Sequence, residues 1–108
     1  MARIQFSVQF RRDFNVVIKR LAEVAGEPVA RKYNLDVRRS VRQLADNPGI
    51  GAPRRKIGAR IRMLVVSPYL IFYEGGPKAK SVTVLRIIDG RRRITRRTIA
   101  AGRDAPRD

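Results

Sequence analysis

Histidine and cysteine are both absent from the 108 residues, which removes the commonest general base, the commonest nitrogen ligand for metals, and every thiol. What remains for chemistry is chiefly arginine. Lysine and arginine total 25 against nine aspartates and glutamates, a net charge of +16. An arginine stays protonated, so it stabilises anions through planar, bidentate hydrogen bonds but shuttles protons poorly. The cations are concentrated. Arg54, Arg55, Lys56, Arg60 and Arg62 lie within 54–62, and Arg86, Arg91, Arg92, Arg93, Arg96 and Arg97 lie within 84–97, VLRIIDGRRRITRR. Charge of this sign and size attracts a polyanion, either nucleic acid or an acidic protein segment. The acids are scattered along the chain without the clustering of a hard-metal site, so no metal and no other cofactor is expected. GGPKAKS (75–81) fails as a phosphate loop, because Glu74 and Ala79 stand where that motif requires glycine. It reads as a hairpin turn.

The elements that must hold these cations follow from the apolar spacing. Ile4 and Phe6 mark a short strand, and Ser7 stands where a helix N-cap is wanted. Phe10, Phe14, Val17, Ile18 and Leu21 recur at helical spacing up to Gly26, a natural stop. Pro28 opens a second helix with the stripe Val29, Tyr33, Val37, Val41 and Leu44, ending before Asn47-Pro48-Gly49. Three strand-like runs come next, IRMLVVS (61–67), YLIFYE (69–74) and SVTVLRII (81–88), joined by short turns. The expected fold is α+β, in the order β-α-α-β-β-β, with a helical hairpin packed on a small antiparallel sheet. One domain over 1–99 is expected, with 100–108 a flexible polar tail. The opening MARIQFSVQFRRDF lacks an apolar run of secretory length, and nothing approaches the roughly 20 apolar residues of a membrane span. A soluble, cytoplasmic protein is expected.

Order and residues together resemble the RelE/ParE superfamily of bacterial toxins, in particular its ParE branch. The likeness rests on NPGIGAPRRKIGARIRMLVVSPYLIFYE followed by VTVLRIIDGRRR. Within these runs lie a Pro-x-x-Gly loop after the second helix, an arginine-bearing strand ending at Pro-Tyr, and Leu85, Arg86, Gly90, Arg91 and Arg92 in an L-R-x-x-x-G-R-R pattern. The likeness covers about residues 3 to 94. It implies a toxin of a type II toxin–antitoxin pair, neutralised by a cognate acidic antitoxin that has a DNA-binding N-terminal part and joins the toxin at operator DNA.

Two activities divide that superfamily, inhibition of DNA gyrase in the ParE branch and ribosome-dependent mRNA cleavage in the RelE branch. Cleavage through the 2′-hydroxyl requires a base, an acid and cations. Arg62 and Arg92 match two cationic positions of the nucleases. However, Leu70 follows Tyr69 where those enzymes carry a basic residue, and beyond Arg92 there is no tyrosine and no histidine. Gyrase inhibition is therefore preferred over an endoribonuclease, with a non-toxic nucleic-acid-binding relative as a third class. The expected target-binding surface is Arg54, Arg55, Lys56, Arg60, Arg91, Arg92, Arg93, Arg96 and Arg97. The expected antitoxin-binding surface is Arg31, Arg38, Arg39 and Arg42. Tyr69 and Tyr73 are read as structural aromatics rather than as base-stacking groups.

Overall fold

The apolar periods resolve into elements close to those expected. A computed structural model describes the backbone of residues 1–103 and the side chains of residues 1–100. Strand β1 (Arg3–Phe6) leads into helix α1 (Val8–Ala25), then α2 (Glu27–Arg42) and a single 3₁₀ turn (Gln43–Ala45). Strands β2 (Ala52–Pro53), β3 (Ile61–Val66), β4 (Tyr69–Glu74) and β5 (Ser81–Asp89) follow, and helix α3 (Arg96–Arg103) ends the described chain. Ser7 caps α1 as its position predicts, its hydroxyl accepting from the Phe10 N–H at 2.9 Å. Gly26 separates the two long helices at φ +96°, a conformation that side-chain-bearing residues rarely adopt.

The sheet is α+β in setting but mixed in direction, with strand order β1-β5-β4-β3-β2. Strands β3, β4 and β5 form the expected antiparallel meander, while β1 pairs parallel to β5, with Arg3 opposite Ser81 and Phe6 opposite Val84. The departure from a purely antiparallel sheet has a topological cause. Parallel neighbours need a long crossover, and everything between β1 and β5 supplies it. The two-residue β2 pairs with Arg62 and Met63 of β3, inside a stretch that sequence reads as loop.

Both faces of the sheet are buried. On one, α1 and α2 cover Leu64, Ile71, Tyr73, Val82, Val84 and Ile87, with Phe10, Val37, Val41 and Leu44 contributed by the helical hairpin and the turn after it. On the other, Ile61, Phe72, Leu85 and Ile88 pack with Ile99, and Ile57 and Ile94 close over them. Ile99 is only 2 % exposed, so α3 docks as part of the core where composition suggests a solvated end. Of the expected tail over 100–108, residues 104–108 lie outside the described residues.

Strand β5 is longer than the strand beside it, and this mismatch shapes the corner near α1. β1 stops opposite Val84, leaving Leu85 to Asp89 without a strand on that side. A bulge between Phe72 and Tyr73 of β4 shifts the register there, from Tyr73 opposite Val84 to Phe72 opposite Arg86. Side chains of α1 and its cap take over the role of a strand. The Ser7 hydroxyl donates to the Leu85 carbonyl at 2.7 Å, and the Asp13 carboxylate accepts from the Ile87 N–H at 3.3 Å. Asp13 also takes both arms of the Arg86 guanidinium at 2.8 Å each, and the remaining arm of Arg86 donates to the Thr98 carbonyl at 3.0 Å. These bonds tie α1, β5 and α3 together. Hydrogen bonding to Asp13 raises the Arg86 pKa, and burial opposes it.

The side chains of Arg86 and Asp13 are 12 % and 9 % exposed. Removing one member of a pair buried to this degree leaves an uncompensated charge, typically at a cost of about 3–5 kcal/mol. Asp13→Ala is expected to lower the unfolding free energy in urea by about 3 kcal/mol. The double variant Asp13→Leu/Arg86→Met should lose less than Arg86→Met and Asp13→Leu summed. Additive losses would mean that the two groups act independently.

Candidate functional site

Three features stand out, the first an open groove between the long helices. Helix α1 has an apolar stripe, yet only Phe10 of its residues is buried. The rest of the stripe is half-covered and floors a groove of about 850 Å³ with α2 and β1. Phe6, Phe10 and Phe14 run along that floor, with ring centroids 5.5 and 5.7 Å apart in succession. Ile18, Val37 and Val41 continue it. The rim is cationic on both sides. Arg11 and Lys19 line it from α1, at a two-turn spacing, and Arg31, Arg38 and Arg42 line it from α2. Of the four expected antitoxin contacts, Arg39 alone is absent from the groove, although it is exposed on the same helix. Arg38 is oriented by donating to the Asn34 side chain at 2.6 Å. Sequence reading missed the α1 rim, although Arg11, Asn15 and Lys19 at i, i+4 and i+8 share one helical face.

A second feature fixes the loop 48–51. Tyr73 is fully buried, and its hydroxyl donates to the Pro48 carbonyl at 2.7 Å while accepting from the Gly51 N–H at 2.9 Å. Burial raises the Tyr73 pKa. Arg62 closes the same loop, donating from one guanidinium nitrogen to the carbonyls of Gly49 at 2.9 Å and Gly51 at 2.8 Å. Position 51 requires glycine because a β-carbon there would lie 2.7 Å from the Tyr73 ring and hydroxyl. Tyr73 is thus a structural aromatic. So is Tyr69, which meets Tyr33 edge-on at 5.7 Å; its pKa is raised by burial and then by nearby Asp89. Arg92 is exposed in the turn after β5, whereas Arg62 is committed to the carbonyls of the loop 48–51.

The third feature is a cationic face on the other side of the sheet. The loop 54–60 and the start of α3 meet there, joined by a hydrogen bond from the Arg96 side chain to the Lys56 carbonyl at 2.7 Å. Arg55 and Arg96 share a cleft with Ile57 and Ile99 at its base. Arg54, Arg55, Lys56, Arg60, Arg91, Arg92, Arg93, Arg96 and Arg97 are all exposed. The structure therefore brings 54–60 together with 96–97, and places 91–93 in the turn leading from β5 into α3. Arg91 is partly committed. Its backbone N–H and its side chain bond Asp89, at 2.9 and 3.0 Å, with a further charged contact between the two side chains. Those bonds to Arg91 hold the Asp89 carboxyl down at about 2, and the same contact raises Arg91. The first turn of α3 carries no acid but does carry Arg96 and Arg97, the wrong charge for a helix N-terminus.

Likeness to known proteins agrees with this architecture. The fold is shared with a solved structure described as the chromosomal ParDE TA system from P. aeruginosa, at TM-score 0.68 and 22 % identity, covering 82 % of this chain and 96 % of that one. At that identity the likeness defines the class of fold, a helical hairpin on a small mixed sheet. No curated protein matches the sequence. Residues 4–94 match the family described as ParE toxin of type II toxin-antitoxin system, parDE, and the chain belongs to that family. It is thereby a ParE toxin, and an antitoxin partner is implied. No described helix is long and apolar enough to cross a membrane.

Two measurements check this geometry. Tyr73→Phe leaves a buried N–H and a buried carbonyl without their partner and should cost about 1–3 kcal/mol in urea unfolding. A loss no larger than that of a surface control would mean that water replaces the hydroxyl. The Asp89 carboxyl should titrate near 2 by NMR in the native protein and return toward 3.8 in Arg91→Ala. Because its folded pKa is depressed, whatever this contact adds to stability is present above the unfolded value. It is lost as pH falls through about 2.

Proposed function

We propose that this ParE toxin acts in the cytoplasm by inhibiting DNA gyrase, and that its antitoxin neutralises it by laying an acidic, amphipathic segment into the α1–α2 groove. The observation that carries the reading is the half-covered aromatic floor between two cationic rims. A segment with apolar residues at helical spacing would complete the core that α1 leaves open. Carboxylates on its flanks would meet Arg11, Lys19, Arg31, Arg38 and Arg42, setting orientation and encounter rate more than final affinity. A DNA-binding N-terminal part of the same antitoxin would carry the pair to operator DNA.

The second cationic face would then serve the target. It lies across the sheet from the groove, so antitoxin and target would meet different surfaces. A nuclease reading draws less support. The Arg62 guanidinium is engaged by two loop carbonyls, Leu70 follows Tyr69, and no histidine is available to move a proton.

Replacing Phe14 or Ile18 with serine is expected to weaken binding of the coexpressed antitoxin by about 10- to 100-fold, as loss of an interface anchor does, with the helical circular dichroism retained. Arg31→Ala/Arg38→Ala/Arg42→Ala should slow association and reduce its salt dependence. Arg91→Ala/Arg92→Ala/Arg93→Ala should abolish inhibition of purified gyrase supercoiling while leaving antitoxin affinity intact. Codon-positioned mRNA cuts on programmed ribosomes, with supercoiling untouched, would replace gyrase with the ribosome as target.

A further inference from the structure

Across the sheet from the groove, the cationic face has a composition that narrows its partner further. Its cations come from two segments about 40 positions apart in sequence, joined through Arg96 and Lys56. Asp89 is the one acid in the segments 54–60 and 89–97, and Arg91 already occupies it. Arg54, Arg55, Lys56, Arg92, Arg93 and Arg97 make no ion pair among the described residues. An acidic protein partner would be expected to find apolar anchors on such a face, as it does in the groove. Here Ile99 is buried and Ile57 and Ile94 are half-buried against the core, which leaves only the narrow base of the Arg55–Arg96 cleft as apolar surface.

Aromatic side chains are missing from the cleft where 54–60 meets Arg96, whereas half-buried Tyr69 stands at the other end of the sheet near Arg91. The chain has four phenylalanines and three tyrosines. Phe6, Phe10 and Phe14 line the groove, Tyr33 and Tyr69 face one another, and Phe72 and Tyr73 are fully buried. Single strands are gripped chiefly by stacking bases on aromatic rings. A face of exposed arginines without rings suits the regular phosphate rails of a duplex, which need charge and planar donors only.

We propose that the face built from 54–60 and 96–97, where the Arg96 side chain joins the two segments, binds the phosphate backbone of double-stranded DNA directly, without reading base sequence. On the target reading given above, which this inference deepens, the toxin engages gyrase together with its DNA. Non-specific backbone binding also explains arginines at the N-terminus of α3, where the helix dipole disfavours them and an anion would restore the balance.

The test uses the full chain alone with a labelled 30-base-pair duplex of arbitrary sequence and no gyrase, followed by fluorescence anisotropy across a salt series. Wild type should bind with a steep salt dependence, and Arg54→Ala/Arg55→Ala/Arg97→Ala should weaken binding at least about 10-fold and flatten the log–log slope by roughly 0.9 per lost phosphate contact, near 3 in all. Arg31→Ala/Arg38→Ala/Arg39→Ala, which removes equal charge from α2, should weaken binding less than about 3-fold. Equal losses in the two variants would show that DNA follows net charge and overturn the assignment. So would absence of binding at 50 mM salt, or tighter binding to a single-stranded RNA of equal length. Because naked duplex is the probe, DNA binding stands or falls separately from gyrase inhibition, which the supercoiling assay reads.

Discussion

A nine-residue strand beside a four-residue strand creates the constraint on which this fold depends. Beyond Val84, β5 would present unpaired backbone groups at the corner where α1 begins. Ser7 and Asp13 satisfy them, and Asp13 in doing so is held against Arg86. A carboxylate buried to this extent would be costly if it accepted only one bond. Here it also receives the Gln9 side-chain amide at 2.9 Å, so the charge is surrounded by donors. The Arg86 arm that reaches Thr98 extends the arrangement to α3. Through one charged cluster the helix covering one face of the sheet and the helix covering the other are set relative to the same strand.

That arrangement lets the two faces specialise. The hairpin side combines an incompletely closed aromatic floor with cations, the chemistry suited to an ordered peptide. The α3 side covers most of its apolar floor with Ile57, Ile94 and Ile99 and exposes chiefly cations. Net charge of +16 by itself would not separate these uses. Packing separates them, because the helical side leaves a long aromatic floor accessible and the α3 side only a short cleft base. The loop 48–51, clamped by Tyr73 and Arg62, holds the start of the basic segment at a defined place on the sheet edge.

Local signals carried most of the fold into the sequence. The N-cap at Ser7, the stop at Gly26 and the change of apolar period after residue 60 each depend on neighbours a few positions away. The parallel pairing of β1 with β5 does not, and no pattern within RIQF says which strand it joins. Asp13 likewise reads as one acid among scattered acids until the fold brings it to Arg86, 73 positions later. α3 was obscured for another reason. Four of its eight positions are Arg96, Arg97, Gly102 and Arg103, so polar composition hid the buried Ile99. Of the candidate sites, the arginine clusters were visible as runs, but their meeting was not. Arg62 drew attention as a cation suited to phosphate chemistry, whereas its partners are the carbonyls of a loop it helps to shape.

The pairing of the first strand with the last has a consequence for biosynthesis. β1 leaves the ribosome before any other element, yet its register partners are Ser81 to Val84, and Ser7 and Asp13 wait for Leu85, Arg86 and Ile87. Contacts between positions so far apart form late, since the loop they close must be restrained before they repay it. The nascent chain can form its helical hairpin early, with the phenylalanine floor assembled without the β5 backing of its core. The cationic face cannot be set in place until β5 and α3 have both emerged. A translating ribosome therefore carries a chain whose helical hairpin is complete before its arginine face is.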